Sequence, residues 1–279
     1  MQLMKSMHYN LKLLRRPLPF QLGTLTLWSD AYIADNVLKK HLDETIDSGS
    51  RKRVTMDASI LWITEHCAAD ADILDIGCGP GLYGNRLGTM IRTYVGLDIS
   101  PYQIAYAKSH NTSSHNTCYQ VCDFRKWRLQ SQQKYDMVLL LYAIYSFYPI
   151  EDRVGLLRKV KGMLKPDGCV ILELFTANHY EGRENCTDWE YIEKNGFWKP
   201  SPYLELNAFT RYRNDLVLIQ AGVVDDTIEI WNSWIELFSI SKIERELQLA
   251  GFSKFSYYGS CTGEKYMSTS DVLCVIAKL

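Results

Sequence analysis

No apolar run in this 279-residue chain approaches the ~18 residues needed to span a bilayer. No charge sign dominates either: 31 Lys and Arg stand against 32 Asp and Glu, a net charge of −1. That balance gives no electrostatic bias toward nucleic acid or an anionic membrane surface. Basic clusters at Arg15-Arg16, Arg51-Lys-Arg53 and Arg125-Lys-Trp-Arg128 are short and read as solvated surface. The eight cysteines contain no Cys-x-x-Cys and follow no regular spacing, which argues against a disulfide framework or a metal knuckle. Cys67, Cys78, Cys118, Cys122, Cys169 and Cys274 lie in apolar runs, where a thiol behaves as a small hydrophobe, whereas Cys186 and Cys261 lie in polar stretches and are expected to be exposed. Met1-Gln-Leu-Met-Lys-Ser6 has no apolar core and is not read as a secretory signal, and the expected compartment is the reducing cytoplasm. Internal repeats and low-complexity tracts are missing as well. What is left is an ordinary globular composition, 47% hydrophobic and 23% charged.

Against that background one segment stands out: Ala71-Asp-Ile-Leu-Asp-Ile-Gly-Cys-Gly-Pro-Gly-Leu-Tyr-Gly84. It reads as a buried strand carrying an acid, Asp75, then glycines at 77, 79 and 81, then a helix start. Glycines at alternate positions let the backbone turn sharply and approach a ligand closely. A strand feeding such a turn is how doubly wound α/β proteins hold a nucleotide-like cofactor. A second apolar run, Thr93 to Asp98, ends in an acid placed to accept hydrogen bonds from both hydroxyls of a ribose. A third, from Thr117, ends at Asp123-Phe124, where an adenine edge and face can be held. A fourth, Tyr135 to Tyr142, ends in aromatics. Strand ends of this kind describe one ligand edge at the carboxyl side of a parallel sheet.

At these residues the chain resembles the class I S-adenosylmethionine-dependent methyltransferases. The resemblance rests on Leu74-Asp-Ile-Gly-Cys-Gly-Pro-Gly81, Gly96-Leu-Asp-Ile-Ser100, Cys122-Asp-Phe124, Tyr135-Asp-Met-Val138 and Met163-Leu-Lys-Pro-Asp-Gly168, covering roughly residues 70 to 175. The stretch from Gly251-Phe252 to Leu279 resembles the family's closing antiparallel hairpin. A nicotinamide-binding fold is the rival. Its fingerprint wants a small residue at the third glycine place, which is Leu82 here, so hydride chemistry is the minority reading.

The expected fold is α/β: a seven-stranded doubly wound sheet, mostly parallel with an antiparallel last strand, an N-terminal helical cap and an inserted antiparallel β lid. Residues 1–70 are read as the cap and 71–279 as the methyltransferase domain, with 176–240 as the substrate lid. Helices are expected over Ala31 to Leu42, with Ile33, Val37 and Leu38 on one face, and over Thr55 to Cys67, where Met56, Ile60, Ile63 and Cys67 form a stripe. Strands are expected near 71–77, 93–99, 117–123, 135–142, 168–175, 252–259 and 271–279, and helices near 81–91, 101–109 and 151–164. Lys165-Pro-Asp-Gly168 reads as a tight turn, and Ser241-Lys-Ile-Glu244 as a capping box for a helix ending at Gly251. The insertion is aromatic-rich and carries three expected strands, Tyr203–Tyr212, Leu216–Val224 and Thr227–Trp234.

The resemblance implies S-adenosylmethionine as the cofactor. It places Asp75, Gly77, Cys78, Gly79 and Gly81 at the methionine end, Asp98 on the ribose, and Ile99, Asp123 and Phe124 around adenine, with Leu141 and Tyr142 as walls. For Ile99 and Phe124 core packing explains the residue equally well. His179 after the fifth strand is a candidate general base, though a lone histidine on a loop is also ordinary surface. Tyr142 and Tyr145 are candidates to orient substrate. Trp28 and Tyr32 are candidates to close the pocket, and Arg51 or Arg53 to meet the cofactor carboxylate. No metal is expected. The place after strand four reads Leu139-Leu-Leu-Tyr-Ala-Ile-Tyr145, without the Asn/Asp-Pro-Pro-aromatic run of enzymes that methylate exocyclic amines of bases or protein amides. The favoured acceptor is therefore a small, partly apolar molecule. Methylation of RNA or protein, and a catalytically silent cofactor-binding regulator, are the alternatives.

Overall fold

The structure, a computed structural model, describes residues 15–112, 116–126 and 133–279. Trp127 and Arg128 of the third basic cluster, and Met1 to Ser6, lie outside the described residues. Helix α1 (Ala31–Leu42) and α2 (Arg53–Glu65) precede β1 (Asp72–Ile76), α3 (Leu82–Leu87), β2 (Thr93–Asp98), α4 (Pro101–Ser109), β3 (Thr117–Val121), β4 (Tyr135–Leu140), α5 (Ile150–Met163) and β5 (Leu164–Phe175). The insertion follows as β6 (Cys186–Ile192), β7 (Tyr203–Arg213), β8 (Leu216–Val224) and β9 (Ile228–Glu236). After it come α6 (Ile240–Ala250), β10 (Lys254–Tyr258) and β11 (Val272–Lys278).

The main sheet runs in the order β10-β11-β5-β4-β1-β2-β3, with β11 antiparallel to both neighbours and β1 to β5 parallel. The expected fold class is borne out. The order reverses between β1 and β4, so their carboxyl ends open a crevice where the chain departs in opposite directions. Both faces are covered, as a parallel sheet requires. Leu74, Val138, Leu140, Val170 and Leu172 meet Leu157 and Val160 of α5 and Leu247 of α6 on one side. Ile73, Met137, Leu139 and Ile171 meet Met56, Ile60 and Ile63 of α2 on the other. The stripe read for α2 is therefore its buried face, with Cys67 just past the helix end.

A charged network is sealed between α5, α6 and β9. Arg153, 2% exposed, donates to Glu246 through Nε (3.0 Å) and Nη2 (2.6 Å) and lies 3.7 Å from Glu236. Removing one partner of such a pair leaves an uncompensated buried charge. The network joins the lid's last strand to the main domain.

The second sheet, β6-β7-β8-β9, is antiparallel throughout. Its three expected strands are present, and β6 is an addition: the short polar run Cys186-Thr-Asp-Trp189 gave little strand signal. The register puts Phe209 and Val217 on the face toward Phe175 and Tyr180. Trp189 and Tyr191 fall on the opposite face and are 70% and 59% exposed. The lid's aromatics are thus divided between two faces.

Other departures are local. α3 ends at Leu87, four residues before the expected Ile91, because the chain turns at Gly88 into the approach to β2. β5 begins at Leu164, so Lys165-Pro-Asp-Gly168 is drawn into an irregular start of the strand, with a shifted register against β4. The N-cap of α6 is Ser239, which accepts from Lys242 N, and not Ser241; Glu244 instead accepts from the Tyr257 hydroxyl. Cys261 is buried with its sulfur 2.9 Å from that of Cys274, while Cys118 is exposed. Burial on a strand follows its partner faces, and local polarity misjudged both thiols.

Candidate active site

At the crevice, β1 ends in a loop whose glycines all take left-handed backbone angles: φ is +86° at Gly77, +53° at Gly79 and +81° at Gly81. A side chain at Gly81 would strike Tyr119 at 2.7 Å, so both conformation and space exclude one there. The loop is tied directly to β2. Gly79 N donates to Asp98 Oδ2 at 3.0 Å, and Ser100 N donates to Asp98 Oδ1 at 2.8 Å. Glycine loop and second-strand acid therefore share one edge, as the sequence implied. Burial raises the Asp98 carboxyl above the usual range, and these amide bonds oppose the shift. The Ile99 amide bears on the same carboxylate, and what remains of its capacity for about four hydrogen bonds is open to hydroxyls.

Asp75 sits deeper, 2% exposed, and accepts from the Tyr94 hydroxyl. Burial pushes its carboxyl up to about 7; the Tyr94 bond opposes that, and the charge of nearby Asp98 adds to it. Asp75 thus senses charge at the loop. Cys78 and Leu141 are buried beside the loop. Asp123 is engaged by Arg125 (Nε to Oδ1, 2.9 Å), and Phe124 stacks edge-on against Tyr148 at 4.7 Å. Arg125 is thereby half of an ion pair, not a free docking cation.

After β4 the chain is strained. Tyr142 and Ala143 have φ of +50° and +58°, a conformation that costs non-glycine residues about 1–3 kcal/mol each. Glu173 near the end of β5 holds them there: its Oε2 accepts from Tyr142 N at 2.7 Å and its carbonyl from Ala143 N at 3.0 Å. Its Oε1 takes Arg51 Nε at 2.8 Å, and the Arg51 guanidinium lies 5.1 Å from the Tyr142 ring centre. Arg51 is therefore paired inside the protein, while Arg53 lies on the surface with Glu44. Reading the sequence missed Glu173, although a lone acid in the apolar run Cys169-Val-Ile-Leu-Glu-Leu-Phe175 is a signal that a buried partner exists.

His179 stacks flat on Phe175, with ring centres 3.8 Å apart, in a 3-10 turn after β5. Burial and the Arg51 charge lower its pKa, and Asp271 opposes them, so the ring stays neutral to lower pH than usual. Tyr142 lies 6.2 Å from the Phe175 ring, which brings Tyr142 and His179 to the same corner. Tyr145 does not join them. It is fully buried, with its hydroxyl on Glu246 at 2.6 Å, so its place is the core network and not the substrate wall. The 3-10 turn Ile144–Phe147 rotates it inward. Tyr32 donates to Gly196 O at 2.7 Å, and Trp28 packs in the cluster of Trp198 and Tyr203; both bind α1 to the lid.

Residues 73–168 match the family described as "Methyltransferase domain". That stretch runs from β1 into β5 and contains the glycine loop, Asp98 and Asp123. The resemblance to class I S-adenosylmethionine-dependent methyltransferases is borne out, and the fold is theirs. A ubiquinone biosynthesis O-methyltransferase of Bradyrhizobium diazoefficiens is 28% identical over 168 residues, which is 57% of this chain and 64% of that protein. An S-adenosylmethionine-dependent methyltransferase from Clostridium acetobutylicum superposes with a TM-score of 0.65 at 16% identity, covering 90% of this chain and 99% of that one. The sugar N-methyltransferase KedS8 from a Streptoalloteichus species gives 0.59 at 15% identity, covering 92% and 98%. Among the described residues no helix is long and apolar enough to cross a membrane.

Proposed function

We propose that this chain transfers a methyl group from S-adenosylmethionine to a small, partly apolar acceptor. The observation that carries the reading is the bond from Gly79 N to Asp98, which brings the glycine loop and the ribose-reading acid to one crevice. The residues suit the cofactor: left-handed glycines leave the loop bare, and Asp98 keeps acceptor capacity beside it. When bound, it supplies a methyl group already activated by a positively charged sulfur. The chain then needs only to orient the acceptor, exclude water and, for some acceptors, take a proton.

Tyr142, Phe175 and His179 form the wall nearest the methyl position, under a lid whose inner face is aromatic and aliphatic. Such a wall offers contact area and a face for a cation. We assign His179 the base, residues 1–70 the cap and 176–240 the lid, within a domain spanning 71–279. Ile99, Asp123 and Phe124 are proposed for the adenine, and Cys78 and Leu141 for the pocket floor. The small-molecule acceptors in the names of the matching O- and N-methyltransferases support the substrate class. The close thiols of Cys261 and Cys274 suit a reducing cytoplasm.

Calorimetry with S-adenosylmethionine and S-adenosylhomocysteine tests the cofactor; no binding of either would refute the proposal. Labelled cofactor with a metabolite extract, read by mass spectrometry for a gain of about 14 daltons, then identifies the acceptor. For the base, His179→Ala is expected to lower turnover and remove its acid limb. Full turnover from about pH 6 to 9 would dismiss that role.

A further inference from the structure

His41, in the last turn of α1, reaches across to the glycine loop. Its ring lies against two left-handed glycines, Gly49 (φ +76°) and Gly79 (φ +53°). A Cβ built on Gly79 would stand 3.4 Å from the imidazole Cε1, 3.6 Å from Nδ1 and 3.9 Å from Nε2. One ring nitrogen is engaged: Nδ1 and Ser50 Oγ are hydrogen-bonded at 2.8 Å. The ring therefore bridges the loop before α2 and the loop after β1, with Cε1 nearest Gly79. Burial drops its pKa to about 4, so it is a neutral donor or acceptor, not a cation.

The donors at this end of the cleft are few. Arg51, beside Ser50, spends both Nε and Nη2 on Glu173 Oε1. Gly79 N is spent on Asp98. Asp75, below the loop, is held by the Tyr94 hydroxyl with its carboxyl pushed up to about 7, so only its ionised form favours an ammonium group over a carboxylate. A methionine moiety laid along Gly77 to Gly81 brings both groups and needs a donor for its carboxylate. We propose that His41 binds the α-carboxylate of the cofactor through Nε2–H, the Ser50 hydroxyl then donating to Nδ1. This assignment rests on the S-adenosylmethionine reading of the cleft.

The test compares two ligands that differ at that one group: S-adenosylhomocysteine and decarboxylated S-adenosylhomocysteine, which lacks the carboxylate. Calorimetry is run on wild type, His41→Asn and His41→Gln. The Asn variant keeps an atom at the Nδ1 position and loses the Nε2 donor. It is expected to bind S-adenosylhomocysteine roughly tenfold more weakly and the decarboxylated ligand as wild type does. Gln reaches the Nε2 position and is expected to recover most of the loss. Ser50→Ala removes the hydrogen-bond partner that holds Nδ1 and so loosens the ring's orientation. Its expected loss is about twofold to fourfold for S-adenosylhomocysteine alone, which keeps the question open to test if His41→Asn does not fold. Equal penalties for both ligands, or no penalty while wild type binds both, would overturn the His41 role alone. Wild type binding neither would overturn the cofactor reading, and the His41 role with it.

Discussion

Replacing Asp98 by alanine removes a carboxylate that works in two directions, and the two effects separate experimentally. Toward the protein, Oδ2 accepts from Gly79 N and Oδ1 from Ser100 N. Without them two amides lose their partner, which costs about 1–3 kcal/mol of stability for each one that stays buried and unsatisfied. Toward the ligand, the remaining acceptor capacity is assigned to the ribose hydroxyls. Charge-assisted bonds of that kind contribute ~1.5–3 kcal/mol together after desolvation, or roughly a 10- to 150-fold loss of cofactor affinity. Calorimetry with S-adenosylhomocysteine and its 2′-deoxy analogue distinguishes the contributions. Wild type is expected to penalise the deoxy ligand, and Asp98→Ala to bind both alike. A loop disturbance alone would weaken both ligands equally and preserve the wild-type preference. If Asp98→Ala binds S-adenosylhomocysteine as tightly as wild type, the ribose assignment is wrong.

Asp75 yields a pH prediction. Its folded pKa, about 7, lies above the ordinary 3.8, so its contribution to stability is fully present below about 3.8. That contribution is lost as pH rises through 7, at no more than about 1.4 kcal/mol per unit. Urea unfolding of Asp75→Asn should show a shallower fall in stability between pH 4 and 7 than wild type; parallel curves would refute the assignment. Arg153→Met strands Glu246, while Glu236 keeps Lys242 and Arg213, and should cost about 3–5 kcal/mol in urea unfolding. A loss under 1 kcal/mol would mean that the network relaxes. Tyr145→Phe should lose about 1 kcal/mol of stability and no cofactor affinity; weakened binding would return Tyr145 to the site.

The sheet and its ligand edge were legible because they are local. Strand, glycine turn and terminal acid lie within a few residues of one another in β1 and β2, and alternation or apolar continuity marks each strand. The same holds for α2, whose stripe is its buried face. The missed features join distant positions. Glu173 meets Arg51 across 122 residues and Tyr145 meets Glu246 across 101, and no periodicity encodes such pairs. Tyr145 was misplaced because a 3-10 turn after the left-handed pair Tyr142 and Ala143 reverses which side chains face inward. β6 was missed because an exposed strand needs no apolar alternation.

By itself, then, the order of residues determined the fold class and the cofactor edge, since backbone conformation at Gly77 to Gly81 and the acid at Asp98 follow from residue type and short spacing. Only the tertiary structure decided which charges are free to meet a ligand. Arg51, Arg125 and Arg153 are all cations on paper, yet each is consumed by a carboxylate. Pairing depends on where separate elements come to rest, and burial makes an unpaired charge too costly to leave.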